Sequence, residues 1–472
     1  MRTPETASHS TPSRAVQRWQ PEAYARALER AYTSGKMPVP PQRRQRVDSR
    51  QILRWLLTIV VGVAGVGFLL NRTAWFGLHP NKPVQPSFNA SAREAEIASL
   101  ATTVLAGMTL DEKVGQLIIP MAQDTSMNSD LQTMITQDHI GGFFVTSGGM
   151  DASQLRAFTG QMQNASHIPM ILAADFEGER DFNVLQSALP LPLSEAEVGA
   201  TGDPHQAFLK GVNDGRALAS VGINVDFGPV VDILSNPNNP ILQGRTFGNT
   251  PDYVTKMAGQ ELDGLSSVGM AGAIKHFPGL GSSVTDPHKS LPTINRTLAQ
   301  MEATELVPYK TLIAQGKVSM IMTTHMLIDA LDPNLPTSIS PAVINGLLRH
   351  SMGYDGVVVS DALFMGGLAY KWDIPHAGLL AFEAGTDLLL GQYNESQTRQ
   401  TMDLIKQALA RGEISQQQID DSVLRILKFK AQWNILPATF KLSGTTAQAA
   451  TIHAPATTLT SPMDLPRRAW AG

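Results

Sequence analysis

Two loops and one strand end of this 472-residue chain carry side chains able to move protons or attack an electrophile. Lys275-His276-Phe277-Pro278-Gly279 closes an apolar run with a cation and an imidazole, and the Gly/Pro-rich loop beyond it delivers Asp286-Pro287-His288. In an Asp-x-His on a turning loop the carboxylate reaches one ring nitrogen and fixes the tautomer, which leaves the other nitrogen for a substrate. Such an imidazole can donate a proton near neutral pH and later take one back. An isolated Asp-x-His also occurs as an ordinary surface pair, and Asp286, His288, His276 and His325 together offer metal-binding atoms. No His-x3-His or His-Glu-x-x-His spacing accompanies them, so neither a metal nor a cofactor is expected.

The run Gly356-Val357-Val358-Val359 leads directly to Ser360-Asp361. A carboxylate after a buried valine run is costly unless it caps a helix, pairs or reacts; a cap for the next helix and a reactive group are equally good readings here. Residues 170–174 lead in the same way to Asp175, Glu177 and Arg180. These acids can hold sugar hydroxyls, since a carboxylate accepts two at once, or form a structural ion network. A turn-rich loop, Asn236-Pro237-Asn238-Asn239-Pro240 with Gly244-Arg245-Thr246-Phe247-Gly248, presents one arginine, Arg245.

Most of these groups follow short apolar runs, of which there are eight, at 116–119, 142–145, 170–174, 223–227, 271–274, 318–322, 356–359 and 386–390. The runs are poor in charge and rich in bulky or β-branched residues, as parallel strands covered on both faces must be. Helical periodicity fills stretches between several of them, among them 252–266, 297–315 and 395–411. Eight alternations in one domain point to an α/β fold, a (β/α)8 TIM-type barrel, over an open sheet. In a barrel the residues that end the runs, Asp175, Asp226, Lys275, His276, His325 and Asp361, gather at the C-terminal mouth, where active sites of that fold lie.

Taken together, these segments resemble glycoside hydrolase family 3, and within it the single-domain β-N-acetylhexosaminidases. The resemblance runs over about residues 97 to 436: MTLDEKVGQ from Met108 to Gln116, GINVDFGPVVD from Gly222 to Asp232, Arg245-Thr246-Phe247-Gly248, KHFPG from Lys275 to Gly279, and Val359-Ser360-Asp361. It implies a retaining double displacement that removes terminal β-linked N-acetylglucosamine from peptidoglycan-derived or chitin-like oligosaccharides. By the same resemblance Asp361 falls on the nucleophile, His288 on the general acid/base and Asp286 on its dyad partner. Asp175, Arg245, Lys275 and His276 fall on sugar-binding positions. A His in place of the second carboxylate departs from most retaining glycosidases but not from this branch. Two-domain β-glucosidases of the family draw their acid/base from a second domain; nothing like it follows residue 437, and the Asp-x-His loop favours the hexosaminidase branch. The chain departs from the family pattern at Glu179, Asn183, Leu280, Ser282 and Pro287. A β-glucosidase of the same family and a catalytically degenerate sugar-binding membrane protein are the alternatives.

Composition frames the rest. The chain is 43% hydrophobic and 17% charged with no cysteine, which excludes disorder throughout, disulfides and thiolate chemistry. Residues 1–50 hold ten Lys and Arg against four acids, a net +6, so the rest of this −4 chain carries −10. Trp55 to Leu70 is uncharged; its sixteen residues reach about 24 Å as a helix, and continuation to Phe76 gives about 33 Å against a hydrocarbon core of ~30 Å. The basic flank should stay in the cytoplasm. The expected organisation is a basic, mostly disordered tail over 1–50, a transmembrane signal anchor over 51–77 and a linker over 78–96. The barrel follows over 97–437, then a flexible Thr/Ala-rich tail over 438–472. The catalytic body is thus expected outside the cell on a single-pass anchor, with secretion after cleavage as the alternative. An oligosaccharide and the membrane are the expected partners, nucleic acid is not, and the sequence carries no signal for an oligomeric state.

Overall fold

The structure is a computed structural model that describes residues 90–179 and 182–442. The expected basic tail, the apolar span 51–77 and the Thr/Ala-rich end from 443 lie outside the described residues, as does Arg180. Among the described residues no helix is long and apolar enough to cross a membrane.

Among the described residues nine strands carry the fold: β1 Ile118–Ile119, β2 Met121–Ala122, β3 Gly142–Val145, β4 Ile171–Ala174, β5 Val225–Asp226, β6 Ala271–Phe277, β7 Met320–Thr323, β8 Val357–Val359 and β9 Leu389–Leu390. Each apolar run seen in the sequence contributes one of them. β2 to β8 pair in sequence order, all parallel, and β1, separated from β2 only by Pro120, pairs parallel with β9. A bridge between Val359 and Leu388 joins β9 to β8, so the parallel sheet curls round towards its own first strand. Parallel neighbours cannot be joined by a tight turn, and helices supply the crossovers.

Side-chain alternation explains how the sheet is buried on both sides. Along β7 and β8, Met320, Met322, Val357 and Val359 belong to one hydrophobic cluster, whereas Ile321 and Val358 belong to another. A period of two sends successive residues to opposite faces, and both faces are apolar. β6 is longer than its apolar run: it continues through Lys275 and His276 to Phe277, with an irregular register between Ile274 and Phe277. All seven of its residues are buried, so two polar side chains are carried into the interior of the site.

The helices follow local rules. Thr109 caps Leu110–Gln116 and exchanges hydrogen bonds with Glu112, a capping box written into MTLDEKVGQ. The single helical stretch expected over 297–315 is two helices, Leu298–Ala303 and Val307–Ala314, because Thr304 leaves helical geometry and Pro308 opens the second. The first described helix, Ala90–Gly107, begins inside the segment read as a linker and packs on the helix Gln416–Gln432. At the other end Phe440 and Leu442 pack against the core, so the body extends past residue 437.

Helices Pro204–Ser220 and Pro251–Ser267 touch backbone to backbone: a Cβ on Gly211 would lie 2.2 Å from the Glu261 carbonyl oxygen, and one on Gly264 would lie 2.1 Å from that of Phe208. Between them Lys210 Nζ lies 2.6 Å from Asp214 and 3.3 Å from Glu261, all three buried. Burial pushes the neighbouring Asp226 and Glu195 carboxyls upward, and Lys210 opposes this.

A second buried lysine makes stability pH-dependent. Lys430 Nζ donates to Gln116 Oε1 at 2.7 Å, and Gln116 Nε2 donates in turn to the His139 carbonyl at 2.7 Å. Burial without a carboxylate partner pushes Lys430 down from 10.5 to about 7. Between those values the unfolded chain binds a proton that the folded chain does not, so this group makes stability rise with pH from about 7 to about 10.5. Below about 7 both states are protonated and the cost of burying the charge is constant. Lys430→Met should remove a slope of up to about 1.4 kcal/mol per pH unit. Urea melts between pH 7 and 9 check this; equal slopes in both proteins would show that Lys430 does not titrate there.

Candidate active site

Every sequence-predicted site residue sits at or just beyond the C-terminal end of a strand, on β6 itself or on a loop that follows a strand. Asp175 and Glu177 follow β4, Lys275 and His276 end β6, Asp286 and His288 lie on the loop after β6, and Asp361 follows β8 by two residues. Arg245 comes from the loop between β5 and the helix Pro251–Ser267.

Glu177, absent from the residues assigned from sequence, is the hub of a buried network. Its carboxylate takes two hydrogen bonds from Arg245, from Nε to Oε2 at 2.6 Å and from Nη2 to Oε1 at 2.8 Å. Lys275 Nζ lies 2.5 Å from Glu177 Oε1 and 2.7 Å from Asp175 Oδ1. Burial alone would raise the Glu177 carboxyl, but Arg245 and then Lys275 outweigh it and hold it far below the usual carboxylate range. Lys275 keeps its proton for the converse reason, with Asp175 and Glu177 overcoming burial. The sequence left open whether the acids after β4 bind hydroxyls or pair with cations. Glu177 is committed to cations, whereas Asp175 is half-buried and keeps an oxygen for other partners. The cations are Arg245 and Lys275, which arrive from other strands.

The tautomer of His276 follows from its neighbours. Arg245 can only donate, so the 3.4 Å contact from its Nη2 makes His276 Nε2 an acceptor. Nδ1 then carries the hydrogen and donates to Asp232 Oδ2 at 2.6 Å, while Asp232 Oδ1 accepts from the Leu280 N–H at 2.6 Å. Asp232, like Glu177, is a residue to which the sequence reading assigned no role. The Lys275-His276 peptide is cis.

Asp361 is half-buried, and its Oδ1 accepts from the Ala362 N–H at 2.8 Å. Burial would raise its carboxyl, but His325, His276 and His288 prevail and hold it below the ordinary value. His325 is fully buried, with Nε2 3.0 Å from the Ala362 carbonyl and Nδ1 2.6 Å from Ser338 Oγ. A carbonyl only accepts, so Nε2 carries the hydrogen and the imidazole pins the backbone next to Asp361. Burial lowers the pKa of His325, and the nearby Asp361 carboxylate opposes this. Asp361 does not act as a helix cap: the short helix Gly366–Ala369 begins five residues later, with Met365 at its N-cap.

His288 Nδ1 lies 2.8 Å from Asp286 Oδ1, which also accepts from the His288 N–H at 2.9 Å. The carboxylate fixes the hydrogen on Nδ1 and turns Nε2 away from the dyad. The His288 side chain is 44% exposed, so it is reachable from solvent. Two backbone contacts dock this loop on the segment that follows Asp361: Gly366 N–H donates to the His288 carbonyl at 3.0 Å and Gly367 N–H to that of Pro287 at 2.9 Å. Among the described residues no group of three or more His, Asp or Glu lies close enough to hold a metal ion. The other departures noted in the sequence also have places: Leu280 is buried and its N–H serves Asp232, Ser282 Oγ is buried without a partner, and Asn183 Oδ1 accepts from the Leu185 N–H.

The comparison with known families decides what this arrangement belongs to. Residues 109–429 match the family model described as the glycosyl hydrolase family 3 N terminal domain. The chain belongs to glycosyl hydrolase family 3. It is 30% identical over 335 residues to beta-hexosaminidase A of Pseudoalteromonas piscicida, covering 65% of this chain and 56% of that protein. It is 29% identical over 390 residues to the beta-hexosaminidase LpqI of Mycobacterium tuberculosis, covering 80% of this chain and 96% of that one. The chain thus spans little more than half of the first relative and nearly all of the second. In three dimensions it resembles a glycoside hydrolase family 3 beta-N-acetylglucosaminidase from Paenibacillus, with a TM-score of 0.67 and 31% identity over 74% of this chain and 66% of that one.

The docking contacts between the two loops in this family 3 chain carry a prediction. A Cβ on Gly366 would lie 2.5 Å from the Lys289 carbonyl atoms and 2.8 Å from the His288 oxygen, all backbone. Gly366→Ala should therefore push the His288 loop away from Asp361 and lower kcat about 100-fold, the usual penalty for a displacement of ~1 Å at a reacting centre. Unchanged kcat would show that the docking does not position His288.

Proposed function

We propose that this protein is a retaining exo-β-N-acetylhexosaminidase built on a (β/α)8 barrel, and that it removes terminal β-linked N-acetylglucosamine from peptidoglycan-derived or chitin-like oligosaccharides. The observation that carries the reading is the docking of an Asp286-oriented His288 beside an ionised Asp361 in a family 3 chain. Asp361 attacks the anomeric carbon while His288 Nε2 protonates the leaving oxygen. In the second step His288 takes a proton from water, and that water displaces Asp361 with overall retention. Asp286 keeps the Nδ1 hydrogen in place throughout, so that the first step starts from the imidazolium, with a second hydrogen on Nε2, and the second step from the neutral ring, with Nε2 free to accept. Asp175, Arg245, Lys275 and His276 face the sugar hydroxyls, the two cations fixed in place by Glu177.

Relatives named beta-hexosaminidase support N-acetylglucosamine over glucose as the glycone. The full chain should turn over an aryl N-acetyl-β-glucosaminide at least about tenfold better than the matching aryl β-glucoside; the reverse preference would move it to the β-glucosidases. Ligand binding with no turnover of either would mark it as a degenerate sugar binder.

The reading includes a single-pass anchor over 51–77 with the catalytic body outside the cell. It rests on the uncharged run from Trp55 to Leu70, the arginines before it and the net +6 of residues 1–50. Recovery of the full-length chain in washed membranes, with the body cleaved by protease added to intact cells, is expected; recovery of a shortened soluble chain would select release by cleavage.

A further inference from the structure

Phe182 is used by no step above, yet it touches both halves of the site. The Arg245 guanidinium carbon stands 3.9 Å from its ring centroid, and the His288 imidazole centroid lies 6.0 Å away at an interplanar angle of 45°. The first contact is anchored, because Arg245 is buried and held by both oxygens of Glu177. A cation over one face of an aromatic ring fixes that ring's position. The Phe182 side chain is itself only half-buried. Its neighbour Asn183 is turned inward, 3% exposed, with Oδ1 on the Leu185 N–H. Of these two adjacent residues, Phe182 is the one presented at the opening of the site.

The position of His288 says which part of a substrate Phe182 meets. A general acid must come within about 2.6–3.2 Å of the oxygen it protonates. The leaving oxygen therefore lies against His288, and the first ring attached to it extends into the space beside Phe182. Two segments around the site carry exposed apolar side chains. Val284, on the loop that delivers His288, is 77% exposed, and Leu193 is 56% exposed. The backbone of Leu193 packs over Gly178, next to Glu177: a Cβ on Gly178 would lie 2.4 Å from the Leu193 carbonyl oxygen. With Phe182, Val284 and Leu193 offer apolar surface that a ligand ring can cover.

We propose that Phe182 is a specificity residue of the leaving-group subsite, forming an aromatic wall that stacks on an uncharged pyranose or aryl ring attached to the scissile oxygen. The inference rests on the glycosidase reading above. It assigns the leaving-group preference to one side chain that the sugar-binding and catalytic residues do not include.

The test compares two substrates with the same glycone, N-acetyl-β-glucosaminyl fluoride, whose leaving group has no ring, and the β-linked dimer of N-acetylglucosamine. In Phe182→Ala of the full chain, kcat/KM on the dimer should fall about tenfold, the scale of one lost aromatic contact. On the fluoride it should stay within about threefold. Phe182→Trp should keep dimer activity, while Phe182→Leu, with apolar bulk and no ring, should lose most of it. The partition of the second step between water and an added acceptor sugar should shift towards water in Phe182→Ala. An equal fall on fluoride and dimer would overturn the proposal, since Phe182 would then act only by holding Arg245 or His288; unchanged dimer activity would overturn it too. A wild-type protein inert on both substrates would overturn the glycosidase reading itself, and this inference with it.

Discussion

Asp361→Asn is expected to lower turnover of an aryl N-acetyl-β-glucosaminide roughly 10⁴-fold or more, the scale seen when a member of a covalent catalytic unit is removed. The substitution keeps the shape and still offers an oxygen to the Ala362 N–H, 2.8 Å from Asp361 Oδ1 in the native protein. On the proposed mechanism it removes the negative charge that attacks the anomeric carbon and leaves as a carboxylate in the second step. It also removes the charge that His325, His276 and His288 sustain. The fold should persist, because the helices and strands around Asp361 are held by apolar packing and by His325. The checks are steady-state rates and a thermal melt on the same preparation. Full activity in a folded variant would end the nucleophile assignment.

His288→Ala should split by leaving group. Loss of a general acid costs typically about 10² to 10⁴ where the leaving oxygen needs a proton, and little where it departs as a stabilised anion. The first step should therefore fall about 10³-fold on the N-acetylglucosamine dimer but less than about tenfold on a dinitrophenyl glycoside. The second step loses its base with every substrate, so the glycosyl-enzyme should accumulate. Mass spectrometry should then find one N-acetylhexosamine residue on the peptide that contains Asp361. Azide, which attacks without giving up a proton, should restore release and yield a β-glycosyl azide. An equal first-step loss on both substrates would remove His288 from the acid role. Because Asp286 grips Nδ1, Asp286→Ala should resemble His288→Ala in kind but be milder, as the imidazole remains and only its orientation is freed.

What could be read from the linear chain was what depends on neighbours in sequence. The eight apolar runs announce strands because a parallel strand covered on both faces has no polar positions to hide the signal, and Val357-Val358-Val359 is a clear case. The Asp286–His288 pair was readable because two residues apart on a turn is a distance set by backbone geometry alone. The Thr109–Glu112 capping box is local in the same sense. Helical periodicity misleads where one residue leaves the helix: Thr304 divides a stretch whose spacing looks like one helix.

Glu177 shows where such reading stops. As one acid in a cluster after β4 it was indistinguishable from Asp175. It is the hub only because Arg245, 68 residues on, and Lys275 arrive from other strands. Asp232 fixes His276 across 44 residues, and His325 pins the backbone at Ala362 across 37. Phe182 meets Arg245 and His288 from two further loops. The sequence by itself determined the residue types, their arrival at strand ends and the local Asp-x-His dyad. The curl of the parallel sheet decided which strand ends face one another, and through that which carboxylate is paired and which is left to react. The reason is that hydrogen bonds and charges act over a few ångströms of space, and only the curled arrangement of β4, β6 and β8 turns long separations in the chain into such distances.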